Sequence, residues 1–147
     1  GDLLVQLSDD WKPCQHWDKK LLDACGEVDL QKKPMVIAVD DGGRKDQLLC
    51  MAILSRARYE QQGNSVFHEG YESVFSDNEF SYRAFTDGVV VDAREVKFEH
   101  LHPIFGKAQM DATYEHNNQK SRYEAGLKLF HERNPKAEKW AQPRFQS

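Results

Sequence analysis

Short apolar runs alternate with amphipathic helical segments along most of the chain, and two of those runs are closed by a pair of aspartates. Leu3 to Ser8 reads as a brief buried strand ending in Ser8-Asp9-Asp10, and Pro34 to Val39 as a second one ending in Asp40-Asp41-Gly42-Gly43. Between them Trp17, Leu21, Leu22 and Cys25 fall at helical spacing, with Gly26 placed to cap the helix. The run from Leu48 to Ser55 fits a strand passing into a short helix near Ala57–Gln62, stopped by Gly63-Asn64. This alternation predicts an α/β sheet flanked by helices, at least partly parallel. In such sheets ligand groups gather beyond the carboxyl ends of the strands, and both acidic pairs fall there.

The clearest helix start is Ser76-Asp77-Asn78-Glu79, which has the capping-box pattern, with Phe75 and Phe80 at the hydrophobic-staple positions. The helix is expected to end at Asp87-Gly88. Val89-Val90-Val91 then reads as one strand and Val96 to His100 as another, half-buried strand. From Asp111 the pattern is helical, with Tyr123, Leu127 and Phe130 on one stripe, until Asn134-Pro135 stops it. At 147 residues the chain suits a single core, so 1–134 is read as one domain and 135–147 as a loose arm.

Composition narrows the function. A net charge of −4 argues against binding a nucleic-acid backbone. No apolar run approaches the roughly 20 residues of a membrane span. No charged segment precedes an apolar one at the start, so no signal peptide is visible. Cys14, Cys25 and Cys50 are widely spaced, without a CxxC pair, which fits reduced thiols in the cytoplasm.

Several residues could carry chemistry. Asp9 and Asp10 offer hard oxygen ligands for Mg²⁺ or Mn²⁺ and, through it, a diphosphate; the same residues also make good turn and N-cap chemistry. His100 and His102 project to one face of an extended segment, where they could bind a metal with Glu99 or Asp92 orienting a ring, or hydrogen-bond at a sheet edge. Asp77 and Glu79 sit where a helix start favours negative charge and could include a general base. Capping accounts for Glu79, whereas the capping box does not need Asp77. Asp40-Asp41-Gly42-Gly43 reads as a turn.

In order along the chain, Leu3-Leu4-Val5-Gln6-Leu7-Ser8-Asp9-Asp10-Trp11, Trp17-Asp18, Asp77-Asn78-Glu79-Phe80-Ser81-Tyr82-Arg83-Ala84 and Phe98-Glu99-His100-Leu101-His102-Pro103 resemble a family-2-type glycosyltransferase of GT-A fold. The resemblance covers roughly residues 1 to 110 and is to the acceptor-side, C-terminal half. It implies a partial GT-A-like mixed sheet and transfer of a sugar, hexosyltransferase fashion, from a nucleotide-sugar donor to a carbohydrate or other hydroxyl acceptor. Ser8-Asp9-Asp10 stands where the family has its metal- and diphosphate-binding acidic motif, and His100 or His102 where a later histidine completes the metal site. Asp77-Asn78-Glu79 with Arg83 resembles the acceptor-side motif, with Asp77 as base and Glu79 as its competitor. Trp11, Trp17 and Tyr71 are candidates for sugar stacking, each equally suited to a core, and His68-Glu69-Gly70-Tyr71 for an acceptor-facing loop.

The departures are that the acidic motif reads Ser-Asp-Asp and that no Glu-Asp pair is present. The family's nucleoside-binding half would lie before Gly1, so the chain alone is expected to be inactive and to form a homodimer through its exposed first strand. A metal-dependent phosphohydrolase or nuclease, and a non-catalytic interaction module, are the alternatives.

Overall fold

Among residues 1–72, 74–101, 120–137 and 140, which the computed structural model describes, the elements run β1 (Leu3–Val5), β2 (Trp11–Pro13), α1 (Trp17–Cys25), β3 (Val36–Asp40), β4 (Ile53–Ser55), α2 (Arg56–Gln61), α3 (Ser76–Thr86), β5 (Val90–His100) and α4 (Lys120–Arg133). The strands form one mixed sheet in the order β1-β4-β3-β5-β2. β3 and β5 are parallel, while β4 lies antiparallel to both β1 and β3, and β2 antiparallel to β5. The chain is thus α/β.

Alternation along the strands divides the apolar residues between two faces. Ile37, Ile53, Ala93, Val96 and Phe98 pack with Leu21 and Cys25 of α1. Val36 and Leu54 point the other way, onto Phe80 and Ala84 of α3. Consecutive burial of Val36, Ile37 and Ala38 marks β3 as a strand covered on both sides. A third cluster joins α3 to α4: Val74, Phe75, Phe130 and Ala137 are buried there beside Tyr82 and Tyr123.

The two strands read from Val89–Val91 and Val96–His100 are one. Ala38 pairs with Asp92 and Asp40 with Lys97, so the intervening residues of β5 bulge out of register. That bulge carries Ala93-Arg94-Glu95, whose charges interrupt the alternation that would have shown a single strand. The first strand stops at Val5, short of the expected Ser8, and Leu7 is 54% exposed. The short strand β2 gives no periodic signal of its own because three residues are too few.

The start of α3 also differs from its capping-box reading. Phe75, at φ 79°, holds the N-cap position and no side chain caps the helix. Its ring is buried 4.9 Å from that of Tyr123, and that packing holds a left-handed backbone otherwise rare for a bulky residue. Phe75 and Phe80 fall in different clusters and form no staple. Ser55 caps α2 instead: its Oγ accepts from Arg58 N at 3.2 Å and from Met35 N at 2.9 Å, and donates to Lys33 O at 2.7 Å.

Residues beyond Asn134 are not all loose. Ala137 is buried, and the Trp140 ring lies 5.8 Å from Tyr82 and 5.9 Å from Phe85. The helical pattern expected from Asp111 to residue 119 lies outside the described residues.

Gly126 sets how closely α4 approaches the start of α3. A Cβ there would stand 2.8 Å from Val74 O and 2.9 Å from Phe75 Cδ2. Ala in a helix gains about 1 kcal/mol over Gly, but the backbone oxygen cannot swing aside, and overpacking costs about 1–3 kcal/mol. Gly126→Ala is therefore expected to lower stability by about 1 kcal/mol; urea unfolding that shows the variant more stable would refute the tight contact.

Candidate functional site

The order of the strands places the acidic turn. β1 and β2 are opposite edges of the sheet, yet only residues 6–10 join them. Four strand spacings of about 4.8 Å add to about 19 Å, close to the reach of six Cα steps at about 3.3–3.6 Å each. The link must therefore cross one end of the sheet directly. It crosses where β1 ends, β4 begins and the parallel strands β3 and β5 both end. Gln6 N bonds to Ala52 O at 2.9 Å at one side of this path, and Leu101 N to Asp10 O at 2.7 Å at the other. Ser8-Asp9-Asp10 thus lies across the carboxyl ends of the parallel strands.

There Asp10 meets His100, with Oδ2 and Nε2 3.0 Å apart. The register of β2 on β5 sets Trp11 opposite His100, and the two rings stack at 4.1 Å with 11° between their planes. His100 N donates to Asp41 O at 2.9 Å, fixing the end of β5 to the end of β3. Ser8 Oγ donates to Asp10 Oδ1. Asp9 is exposed, so of the two neighbouring carboxylates Asp10 is the one that reaches the histidine. His102 lies outside the described residues. Asp40-Asp41-Gly42-Gly43 forms the expected turn: Asp40 Oδ1 accepts from Gly42 N at 2.8 Å, and Asp41 Oδ1 from Gly43 N at 2.9 Å and Arg44 N at 2.7 Å.

Helix α3 is tied through its second turn to the loop that precedes β4. Ser81 Oγ accepts from Leu49 N at 2.8 Å, in the loop leading into β4, and donates to Asp77 O at 2.7 Å. α3 feeds β5 through the Gly88 turn, so helix and strand run in opposite senses and Asp77 lies toward the carboxyl end of β5. Asp77 is 7% exposed, and its Oδ1 accepts from Asn78 N at 3.1 Å.

Glu79 points elsewhere. Its carboxylate accepts from Arg133 Nε at 2.7 Å, Asn134 Nδ2 at 3.0 Å and Tyr71 Oη at 3.2 Å, with Arg83 Nη2 at 3.5 Å. Burial pushes its pKa up, but the hydrogen bonds from Arg133 and Asn134 and the charges of Arg83 and Arg133 outweigh burial and hold it below the ordinary value. Burial first, and then the Glu79 charge, push the Tyr71 phenol well above its ordinary value. Tyr71 is thereby anchored to α3, and Arg83 is occupied by Asn134 Oδ1 at 3.1 Å as well as by Glu79. Trp17 packs edge-on against Phe98, 5.4 Å away, beside the core.

Of the candidates, then, Asp10, Trp11 and His100 form one cluster, and Tyr71, Glu79 and Arg83 form a second with Arg133 and Asn134. Asp77 lies in the first turn of α3, on the helix that covers the other face of the sheet. Nothing in the sequence advertised Asn134 as more than a helix stop. Among the described residues no group of three or more His, Cys, Asp or Glu side chains is arranged to hold a metal ion, and no helix is long and apolar enough to cross a membrane. No family model, no curated protein and no solved structure matches the chain.

Proposed function

We propose that the chain serves the transfer of a sugar from a nucleotide-sugar donor to an acceptor hydroxyl, in the manner of the family-2-type glycosyltransferases it resembles. The observation that carries this reading is the meeting of Asp10 and His100, 90 residues apart in sequence, beyond the carboxyl ends of the parallel strands β3 and β5.

The donor set suits a divalent cation. Asp10 Oδ2 and His100 Nε2, hydrogen-bonded to each other at 3.0 Å, are the two atoms that would turn to hold it. A carboxylate oxygen beside an imidazole nitrogen favours Mn²⁺ over Mg²⁺. With the donor's diphosphate oxygens completing its coordination, the ion would supply positive charge against the charge developing on the leaving group. Asp77 takes the proton from the acceptor hydroxyl as its oxygen attacks the anomeric carbon, and the bond from that carbon to the diphosphate breaks. Trp11, held flat against His100, keeps the imidazole in place.

Calorimetric titration with Mn²⁺ in the presence of a nucleoside diphosphate tests the proposal. Saturable binding is expected, weakened at least about tenfold, or about 1.4 kcal/mol, by Asp10→Asn and by His100→Ala. Equal affinity in both variants would overturn the assignment. Phosphoester turnover without any sugar nucleotide would favour a phosphohydrolase or nuclease, and no binding of nucleotide or metal a non-catalytic module.

We propose also that β1 associates with a second copy of the chain. Among the described residues it pairs on one side only, with β4, and Leu3, Leu4 and Val5 carry no charge or proline to blunt the edge. Sedimentation is expected to show a dimer that Leu4→Lys reduces; a monomer at all concentrations would end this idea.

A further inference from the structure

We propose that a cavity of about 520 Å³ between α2, α3 and the end of α4 is a second ligand site, one that takes a small molecule bearing a phosphate or carboxylate group. Its volume lies in the range of small-molecule pockets, about 300–1,000 Å³. Ser76, Glu79, Phe80 and Arg83 line it, spaced along one face of α3. Asp77 and Ser81 do not line it, nor do Asp10, Trp11 and His100, so the pocket does not include the Asp10–His100 pair.

The charge balance within the cavity points to an anion. Arg58, Arg83 and Arg133 reach its wall, against the two carboxylates of Glu79 and Asp87. Arg58 spends its charge on Asp87, with Nη1 at 2.7 Å from Oδ2. Glu79 alone must serve the other two guanidinium groups, at 2.7 Å from Arg133 and 3.5 Å from Arg83. One positive charge is left over in a concave site. Arginine cannot shed its proton, and with the Arg83 side chain 45% exposed to water an anion can reach this charge directly.

Geometry agrees with charge. The bonds to Glu79 and Asn134 engage Nε and Nη2 of both Arg83 and Arg133. Each guanidinium carries five N–H groups in a planar fork, so both retain donors suited to two oxygens of a phosphate or carboxylate. Val66, Phe67, Phe80 and Val89 give the cavity an apolar wall, against which the body of such a ligand can rest.

The test is calorimetric titration of the full chain with inorganic phosphate, glucose 6-phosphate and citrate. At least one is expected to bind at one site per chain with a Kd of about 1 mM or tighter. Preference among the three separates phosphate from carboxylate recognition. Arg83→Gln, at a side chain 45% exposed and so least needed for folding, should weaken binding at least about tenfold. Arg83→Lys keeps the charge but loses the fork and should weaken it less. Arg94→Gln, outside the cavity, should leave it unchanged. No saturable binding of any probe, no effect of Arg83→Gln, or an equal loss in Arg94→Gln would each overturn the proposal. Because the readout is binding and not sugar transfer, its failure leaves the transferase reading standing, and the reverse also holds.

Discussion

In an enzyme that joins this chain to a nucleoside-binding half, Asp77→Asn is expected to slow sugar transfer by about 10²–10⁴-fold, the usual cost of removing a general base. The amide keeps the size of the carboxylate and can still accept from Asn78 N, so the start of α3 should be preserved. Donor and metal binding should change little, because Asp77 is assigned to the acceptor. Assays of that complete enzyme with a panel of sugar nucleotides, combined with Mn²⁺ titration of the same variant, separate these effects. Full turnover in Asp77→Asn, or a larger loss in Glu79→Gln, would move the base to the other residue. Glu79 already accepts from Arg133, Asn134 and Tyr71, and a carboxylate so engaged is a poor proton acceptor.

The second large effect is on stability. Glu79→Ala should cost about 2–4 kcal/mol, since it strips the shared partner from Arg133, Arg83, Asn134 and Tyr71 at a site where Glu79 is 5% exposed. Part of that contribution depends on pH. The folded pKa of Glu79 is lowered, so its pairing stabilises fully above the unfolded value of about 4.3 and is lost as pH falls through the lower folded value. Denaturant unfolding of Glu79→Gln and the parent should accordingly converge as the solution is acidified from neutral pH. A gap that stays constant down to low pH would show that the charge of Glu79 contributes nothing.

What could be read from the sequence followed from what is local. Helix α1 was legible to its ends because Trp17, Leu21 and Cys25 face one core and Gly26 closes the helix. The turn at Asp40-Asp41 was legible because aspartate bonds to its own next backbone amides, whatever lies around it. The start of α3 was misread for the opposite reason. Ser76 and Glu79 have the right spacing for a capping box, but Arg133 and Asn134, 54 and 55 residues away from Glu79, compete for its carboxylate and win. The same long range hid the link between Asp10 and His100: each residue was a visible candidate, while their contact depends on the pairing of β2 with β5. The general α/β class was legible from alternation, whereas a GT-A-like arrangement remains a proposal drawn from motif order.

The five-residue link across the end of the sheet has a consequence for how the protein comes into being. As the ribosome makes the chain, His100 emerges ninety residues after Asp10, so the pair cannot exist until β5 has been synthesised and β2 has closed upon it. Contacts of such long range form late, because a long loop must be ordered before they return any stability. A cation held as proposed by Asp10 and His100 would therefore be acquired only once β2 has docked on β5, and a nascent or half-opened chain would hold it weakly.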